Sequence, residues 1–157
     1  MKNFNKIILS LGSNIGDKKS NLETAINQIN KFSTIKKISS IYESDPILLK
    51  EQDNFFNLVL EIDYKKTVIE LLETTKDVER RMGRKKTVKY GPRIIDIDIV
   101  FFNNQIVNSK DLVVPHIDWS NRVFVVKPLS ELFKEFNMKE YKLDVQKINK
   151  VGRVNTN

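Results

Sequence analysis

Asp96-Ile97-Asp98 sets two carboxylates two positions apart within a run, Ile94 to Phe102, that alternates and then becomes fully apolar. On a strand, alternate residues share a face with Cα atoms about 6.6 Å apart, so Asp96 and Asp98 point together while Ile95, Ile97 and Ile99 point into a core. Two short carboxylates on one face suit one or two hard cations, and beside a phosphate substrate that cation is Mg²⁺ keeping several waters. An exposed strand with ordinary polar alternation has the same spacing, and two bare carboxylates at that distance repel by only roughly 0.6 kcal/mol in water. The flanks add weight. Arg84, Lys85, Lys86, Lys89 and Arg93 precede the strand, and cations beside carboxylates are what a metal-bound polyphosphate needs. Gly91-Pro92 sets a turn that aims Arg93 at the carboxylate end of the strand. The loop from Gly83 to Pro92, with Val88 and Tyr90 as its apolar anchors, is expected to close over a nucleotide.

A second cluster is Asp53-Asn54-Phe55-Phe56-Asn57. On a strand Phe55 and Asn57 share one face, so a ring and a two-way hydrogen-bonding amide stand side by side, an arrangement able to read a flat heterocycle. An aromatic core residue beside a polar edge fits the same residues. Pro115-His116 and Asn121-Arg122-Val123-Phe124 add an imidazole, a guanidinium and another ring. The five glycines, Gly12, Gly16, Gly83, Gly91 and Gly152, form neither a G-x-x-x-x-G-K-[ST] phosphate loop nor a dinucleotide fingerprint. With no cysteine and the lone His116, disulfides, thiolate chemistry and multi-histidine metal cages are excluded.

The elements that must position these groups follow from periodicity. Lys6 to Leu11 is a buried strand ended by Gly12-Ser13-Asn14. Leu22, Ala25, Ile26 and Ile29 mark a helix, with Ser20 and Glu23 as its expected capping box. Thr34 to Tyr42 and Phe55 to Tyr64 are expected to pair as a long hairpin. Val68 to Met82, capped by Thr67 and ended by Gly83, is a second amphipathic helix. Asn103-Asn104 suggests a small hairpin joining the aspartate strand to Gln105-Ile106-Val107. Beyond Pro115, Val123 to Val126 and Leu129 to Phe136 suggest short helices, and Tyr141 to Val151 fits helix or strand alike. The order predicts an α+β, ferredoxin-like βαββαβ sandwich, an antiparallel sheet with helices on it and a C-terminal extension.

Over 157 residues, 40% hydrophobic and 30% charged, this is one globular domain spanning residues 1–157. The run Ile7 to Leu9 is far short of a membrane span or secretory core, so a cytoplasmic protein without a membrane partner is expected. The net charge of +7 points to acidic partners, although a solvated lysine-rich surface explains it equally. A nucleic-acid-binding module of the same fold is the competing reading. It needs stacking aromatics on the central strands, where Asp96 and Asp98 place negative charge instead.

The run Lys89-Tyr90-Gly91-Pro92-Arg93-Ile94-Ile95-Asp96-Ile97-Asp98-Ile99-Val100 resembles the signature of the 6-hydroxymethyl-7,8-dihydropterin pyrophosphokinases of folate biosynthesis. Leu11-Gly12-Ser13-Asn14, Phe55-Phe56-Asn57, Gly83-Arg84, Val114-Pro115-His116 and Asn121-Arg122 accompany it in the matching order, over roughly residues 5 to 135. The resemblance implies transfer of the β,γ-diphosphate of ATP to the pterin hydroxymethyl oxygen, releasing AMP, by a monomer that uses two Mg²⁺ ions and no nucleic acid. It implies Asp96 and Asp98 as metal ligands and catalytic groups, with Arg84 and Arg93 neutralising the transferred charge. Phe55, Asn57, Phe124 and the backbone at Ser44, Asp45 and Ile47 would hold the pterin. Lys76, Glu79, Arg84, Lys86, Tyr90, Arg93, His116 and Arg122 would meet ATP, with a backbone contact at Ile99. Phe55 and Tyr90 stand where the family often has tyrosine and tryptophan, and Asp111, Val113 and Ile117 also depart from its common pattern.

Overall fold

Strands whose two faces are both apolar over part of their length need cover on both sides, and the chain supplies it with helices from two parts of the sequence. The computed structural model describes residues 4–46, 51–85 and 91–155. Strand β1 (Ile7–Ser13) lies inside the sheet, with β4 (Phe55–Asp63) on one side and β5 (Asp96–Phe102) on the other, both antiparallel to it. Strand β2 (Thr34–Ile38) and β3 (Ile41–Ser44) both pair with β4, and β8 (Ile148–Gly152) pairs with β3 at the edge. Ile7, Leu9 and Leu11 of β1, with Leu58 and Leu60 of β4, face helices α1 (Lys18–Ile29) and α2 (Val68–Arg81). Ile8, Val59, Val100 and Phe101 face the other way, onto α3 (Val123–Leu132) and the rings of Phe4, Phe133 and Phe136. Burying a side chain such as Leu60, which has no exposed surface, is worth roughly 1.5–3 kcal/mol. The result, among the described residues, is an α+β fold with an antiparallel sheet and three α-helices. Among the described residues no helix is long and apolar enough to cross a membrane.

Local chemistry sets the element ends. Thr67 caps α2 and forms the full capping box with Glu70. At the other end Gly83 takes φ +89°, its N–H bonds to Arg80 O, and Arg84 N–H bonds to Glu79 O. This paired closure leaves Arg84 turned back along the helix. In α1 the cap is Asp17, whose side chain accepts from Ser20 N, so the helix begins earlier than the expected Ser20–Glu23 box. Aspartate three residues ahead outcompetes serine because Ser20 already lies inside the turn.

The long hairpin is present in modified form. Its first arm breaks at Ser39 and Ser40, which are buried, and the Ser39 hydroxyl accepts from Val59 N where ladder pairing lapses. Asn103 and Asn104 do adopt the left-handed turn (φ 48° and 62°), yet the residues beyond it pair elsewhere. Strand β6 (Val107–Asn108) joins β7 (Val113–Val114) in a separate ribbon rather than extending β5. Tyr141 to Val151 resolves into a strand at its end, β8.

Strand β5 is irregular at its centre. Ile8 pairs with Phe101 and Leu9 with Ile99, so Val100 is an extra residue in β5. This bulge is why the sequence stops alternating: Val100 and Phe101 both turn to the α3 face. It also leaves the Val100 carbonyl to accept from His116 N at 3.0 Å.

On the α3 face, Glu131 accepts from Tyr42 OH at 2.7 Å and from the backbone N–H and hydroxyl of Ser40, and pairs with Arg153 at 3.2 Å. Burial pushes its pKa up, but the hydrogen bonds from Tyr42 and Ser40 outweigh that and hold it below the usual carboxylate value. Such a group stabilises fully above the unfolded carboxylate pKa and loses that contribution as pH falls through its own lower pKa. Glu131→Ala strands the buried Tyr42 and Ser40 donors, so urea unfolding at pH 7 should show a loss of about 1–3 kcal/mol. That difference should shrink in acid; an unchanged midpoint at pH 7 would mean the contact carries no weight.

Candidate functional site

The cleft opens on the α3 face of the sheet, at the end where side chains become small. Ser10 and Gly12 of β1 form its floor, and the space measures about 680 Å³. Gly12 is opposite Asn57 on β4 and Asp96 on β5, and Ser10 is opposite Asp98. A Cβ on Gly12 would lie 2.9 Å from Asn57 Oδ1 and 3.7 Å from the Phe55 ring. Glycine there therefore lets the amide and ring of β4 approach the middle of the sheet.

At one end stand the carboxylates. Asp96 Oδ1 accepts from Arg84 Nη1 at 2.8 Å and from Arg93 Nη1 at 3.3 Å. Arg84 also meets Glu79 Oε2 at 2.7 Å, and the same oxygen accepts Ile97 N at 2.7 Å, so the buried Glu79 ties α2, Arg84 and β5 together. Burial raises the Glu79 pKa and Asp96 adds to it, while the Ile97 N–H, Arg84 and Lys76 act in the opposite sense. Asp98 lies 3.9 Å from Arg122 Nη1 and 4.0 Å from His116 Nε2. Burial first, then the neighbouring Asp96, push the Asp98 pKa up to about 7 against the pull of Arg122 and Arg93. Burial and the Arg122 charge keep the His116 pKa down, so its ring is neutral at pH 7. Asp118 N donates to His116 Nδ1 at 3.3 Å, which leaves the ring proton on Nε2, towards Asp98.

The other end is flat and amphipathic. Phe55, Asn57 and Phe124 line it, and Arg122 lies 5.5 Å above the Phe124 ring centroid. Asn57 Nδ2 donates to Ser44 Oγ at 2.7 Å, and Ser44, Asp45 and Pro46 continue the wall. Asn14 holds three loops at this mouth. Its side chain accepts from Arg93 N at 2.7 Å and donates to Gln52 and the Asp53 carbonyl, while its own N–H donates to Arg93 O at 3.0 Å.

The model of the 7,8-dihydro-6-hydroxymethylpterin-pyrophosphokinase (HPPK) family matches residues 8–134, the span that holds both ends of this cleft except the wall contributed from beyond α3. The chain belongs to the HPPK family. It is 39% identical over 129 residues to 2-amino-4-hydroxy-6-hydroxymethyldihydropteridine pyrophosphokinase of Bacillus subtilis, covering 81% of this chain and 77% of that one. The protein of the same name from Aquifex aeolicus is 42% identical over 126 residues, covering 80% and 79%. Bifunctional protein FolKE of Lactococcus lactis subsp. cremoris is 42% identical over 126 residues, 79% of this chain but 36% of that longer one. A crystal structure of Plasmodium falciparum HPPK-DHPS with pteroate has the same fold, with a TM-score of 0.62 at 18% identity over 88% of this chain and 40% of that one.

Of the residues that the HPPK resemblance singles out, Ser44, Asp45, Phe55, Asn57, Phe124, Arg93, Asp96, Asp98, His116 and Arg122 all line the one cleft, and Arg84 joins it through Asp96. Ile47, Lys86 and Tyr90 lie outside the described residues. Lys76, Glu79 and Ile99 do not line the cleft. Glu79 instead stands behind Arg84 and is buried, as is the Ile99 side chain in the helix-covered core. Asp111 and Val113 are absent from the lining, whereas Ile117 is on it and largely exposed. Spacing alone assigns no role to Gly12, Asn14, Gln52, Asp144 or Gln146. The close approach to Gly12 and the loop bonds of Asn14 arise only when distant strands meet, although both residues belong to a short polar break after an apolar strand.

Gly12→Ala should displace Asn57, so a titration of 6-hydroxymethylpterin should weaken about tenfold or more while the chain stays folded by circular dichroism. Unchanged affinity would show that Asn57 has room to yield.

Proposed function

We propose that this enzyme transfers the β,γ-diphosphate of ATP to the hydroxymethyl oxygen of 6-hydroxymethyl-7,8-dihydropterin for folate biosynthesis, with two Mg²⁺ ions held on Asp96 and Asp98. The observation that carries this reading is one cleft with two chemistries: paired carboxylates among three guanidinium groups at one end, a ring–amide–ring wall at the other. The named HPPK relatives support the same activity. Strand order β5-β1-β4-β3, with α1 and α2 on one face, supports reading the core as ferredoxin-like, and residues 1–157 as one domain around one main sheet.

The donor set suits the cation. Burial and the neighbouring Asp96 charge push the Asp98 pKa up, a cost that a cation would relieve, and Mg²⁺ is held by one or two carboxylates together with substrate phosphates and water. When bound, Mg²⁺ would supply charge neutralisation at the triphosphate and polarisation of the attacking hydroxyl. The side chains perform the remaining tasks. Phe55 and Phe124 stack on the heterocycle, Asn57 Oδ1 accepts from its edge, and Asn14 fixes Arg93 at the cleft mouth. Arg84 and Arg93 lie where charge collects as the hydroxymethyl oxygen bonds to the β-phosphorus and the bridging oxygen leaves with AMP. His116, neutral and with its proton on Nε2, is a hydrogen-bond donor beside Asp98 rather than an acid.

With Mg²⁺, ATP and 6-hydroxymethyl-7,8-dihydropterin, chromatography of the nucleotide products should show AMP; ADP would assign a different kinase chemistry. Asp96→Ala and Asp98→Ala should abolish nearly all turnover with the circular dichroism spectrum retained. Unfolded variants would instead make the pair structural. Arg93→Ala should lower kcat by about 10²–10³-fold with a far smaller change in ATP affinity; a loss confined to affinity would remove Arg93 from the chemical step.

A further inference from the structure

Two buried side-chain polar atoms have no hydrogen-bond partner among the described residues, Arg93 Nε and Gln146 Oε1. Both belong to residues lining the same cleft, at its opposite ends. Arg93 Nε stands at the polyphosphate end. Gln146 stands at the heterocycle end, beyond residue 134, where the family match stops.

Its segment crosses the cleft wall as a strap. Asp144 N donates to Asn121 O at 2.9 Å and Asn121 Nδ2 donates to Lys142 O at 2.9 Å, which anchors the strap beside Arg122 and Phe124. Further along, Asp45 Oδ1 accepts Lys147 N at 2.8 Å, Asp45 N donates to Lys147 O at 3.3 Å, and Gln146 Nε2 donates to Asp45 O. The last contact fixes the amide orientation, because a carbonyl accepts only from the nitrogen. It follows that the oxygen of Gln146 is the unpaired atom, and an unpaired buried acceptor is costly unless something donates to it.

Resting on the proposed pterin-binding function, we infer that Gln146 is a specificity residue of the heterocycle pocket: Nε2 braces the Asp45 backbone and Oε1 accepts an N–H of the bound planar heterocycle. An aminopyrimidine ring carries such donors on its edge, and Asn57, which lines the same cleft, already offers one acceptor in its Oδ1. An acceptor from Gln146 added to that of Asn57 would select a ring with N–H groups over one whose edge carries acceptors alone.

The test is calorimetric titration of 6-hydroxymethylpterin, in Mg²⁺ and a non-hydrolysable ATP analogue, into the full chain and into Gln146→Leu and Gln146→Glu. Leucine removes both amide functions; glutamate removes the brace to Asp45 but keeps an acceptor. Gln146→Leu should weaken pterin binding about tenfold, leave the affinity for the ATP analogue within twofold, and leave Tm near the parent value. Gln146→Glu should stay within about threefold of the parent. Equal loss in both variants would reduce Gln146 to a brace and overturn the acceptor role, as would an unaltered Kd in the leucine variant. Should the leucine variant fail to fold, a tenfold loss in the glutamate variant overturns the role and retained binding supports it. Failure of the unsubstituted chain to bind pterin would overturn the proposed function itself, and this inference with it.

Discussion

Two negative groups placed side by side on a partly buried strand face repel more strongly than in open water, because less solvent intervenes to screen them. Asp96 and Asp98 impose that constraint, and much of the surrounding chain answers it. Arg84 and Arg93 reach Asp96 from the loops after α2 and before β5, and Arg122 reaches Asp98 from the start of α3. Each cation is itself held: Arg84 by Glu79, Arg93 through its backbone by Asn14, Arg122 by Asp118 at 3.6 Å. Four acids, Glu79, Asp96, Asp98 and Asp118, and three guanidinium groups thus meet at one end of the sheet from separate elements.

Much of this was legible in the sequence because its signals were local. Alternation gave the shared direction of Asp96 and Asp98, and of Phe55 and Asn57. The apolar stripe and the Thr67 cap gave α2, and Gly83 gave its end. The switch from alternation to a fully apolar run in β5 was visible too, but its meaning was not. A bulge is a property of pairing with β1, and only that register explains why Val100 and Phe101 turn the same way.

Contacts between distant elements account for the remainder. The HPPK resemblance marks Glu79 as an ATP-contacting acid, and in the folded chain its carboxylate engages Ile97 N and Arg84, contacts that no local pattern announces. Nothing local marks Gly12 as the floor or Asn14 as the tie among three loops. The segment after α3 was ambiguous because Ile148 to Gly152 has one half-buried residue followed by exposed ones. Its strand character comes from β3, which offers an unpaired edge, rather than from its own composition.

That docking changes how the molecule meets copies of itself. By occupying β3, strand β8 covers the open edge of a largely buried strand and leaves a sheet boundary carrying Asn149, Lys150 and Gly152 in its place. Lysine at a boundary strand repels another chain seeking to add backbone pairs. Part of the chain's surplus positive charge is thereby stationed where it favours colloidal solubility, a role separate from any attraction to phosphate.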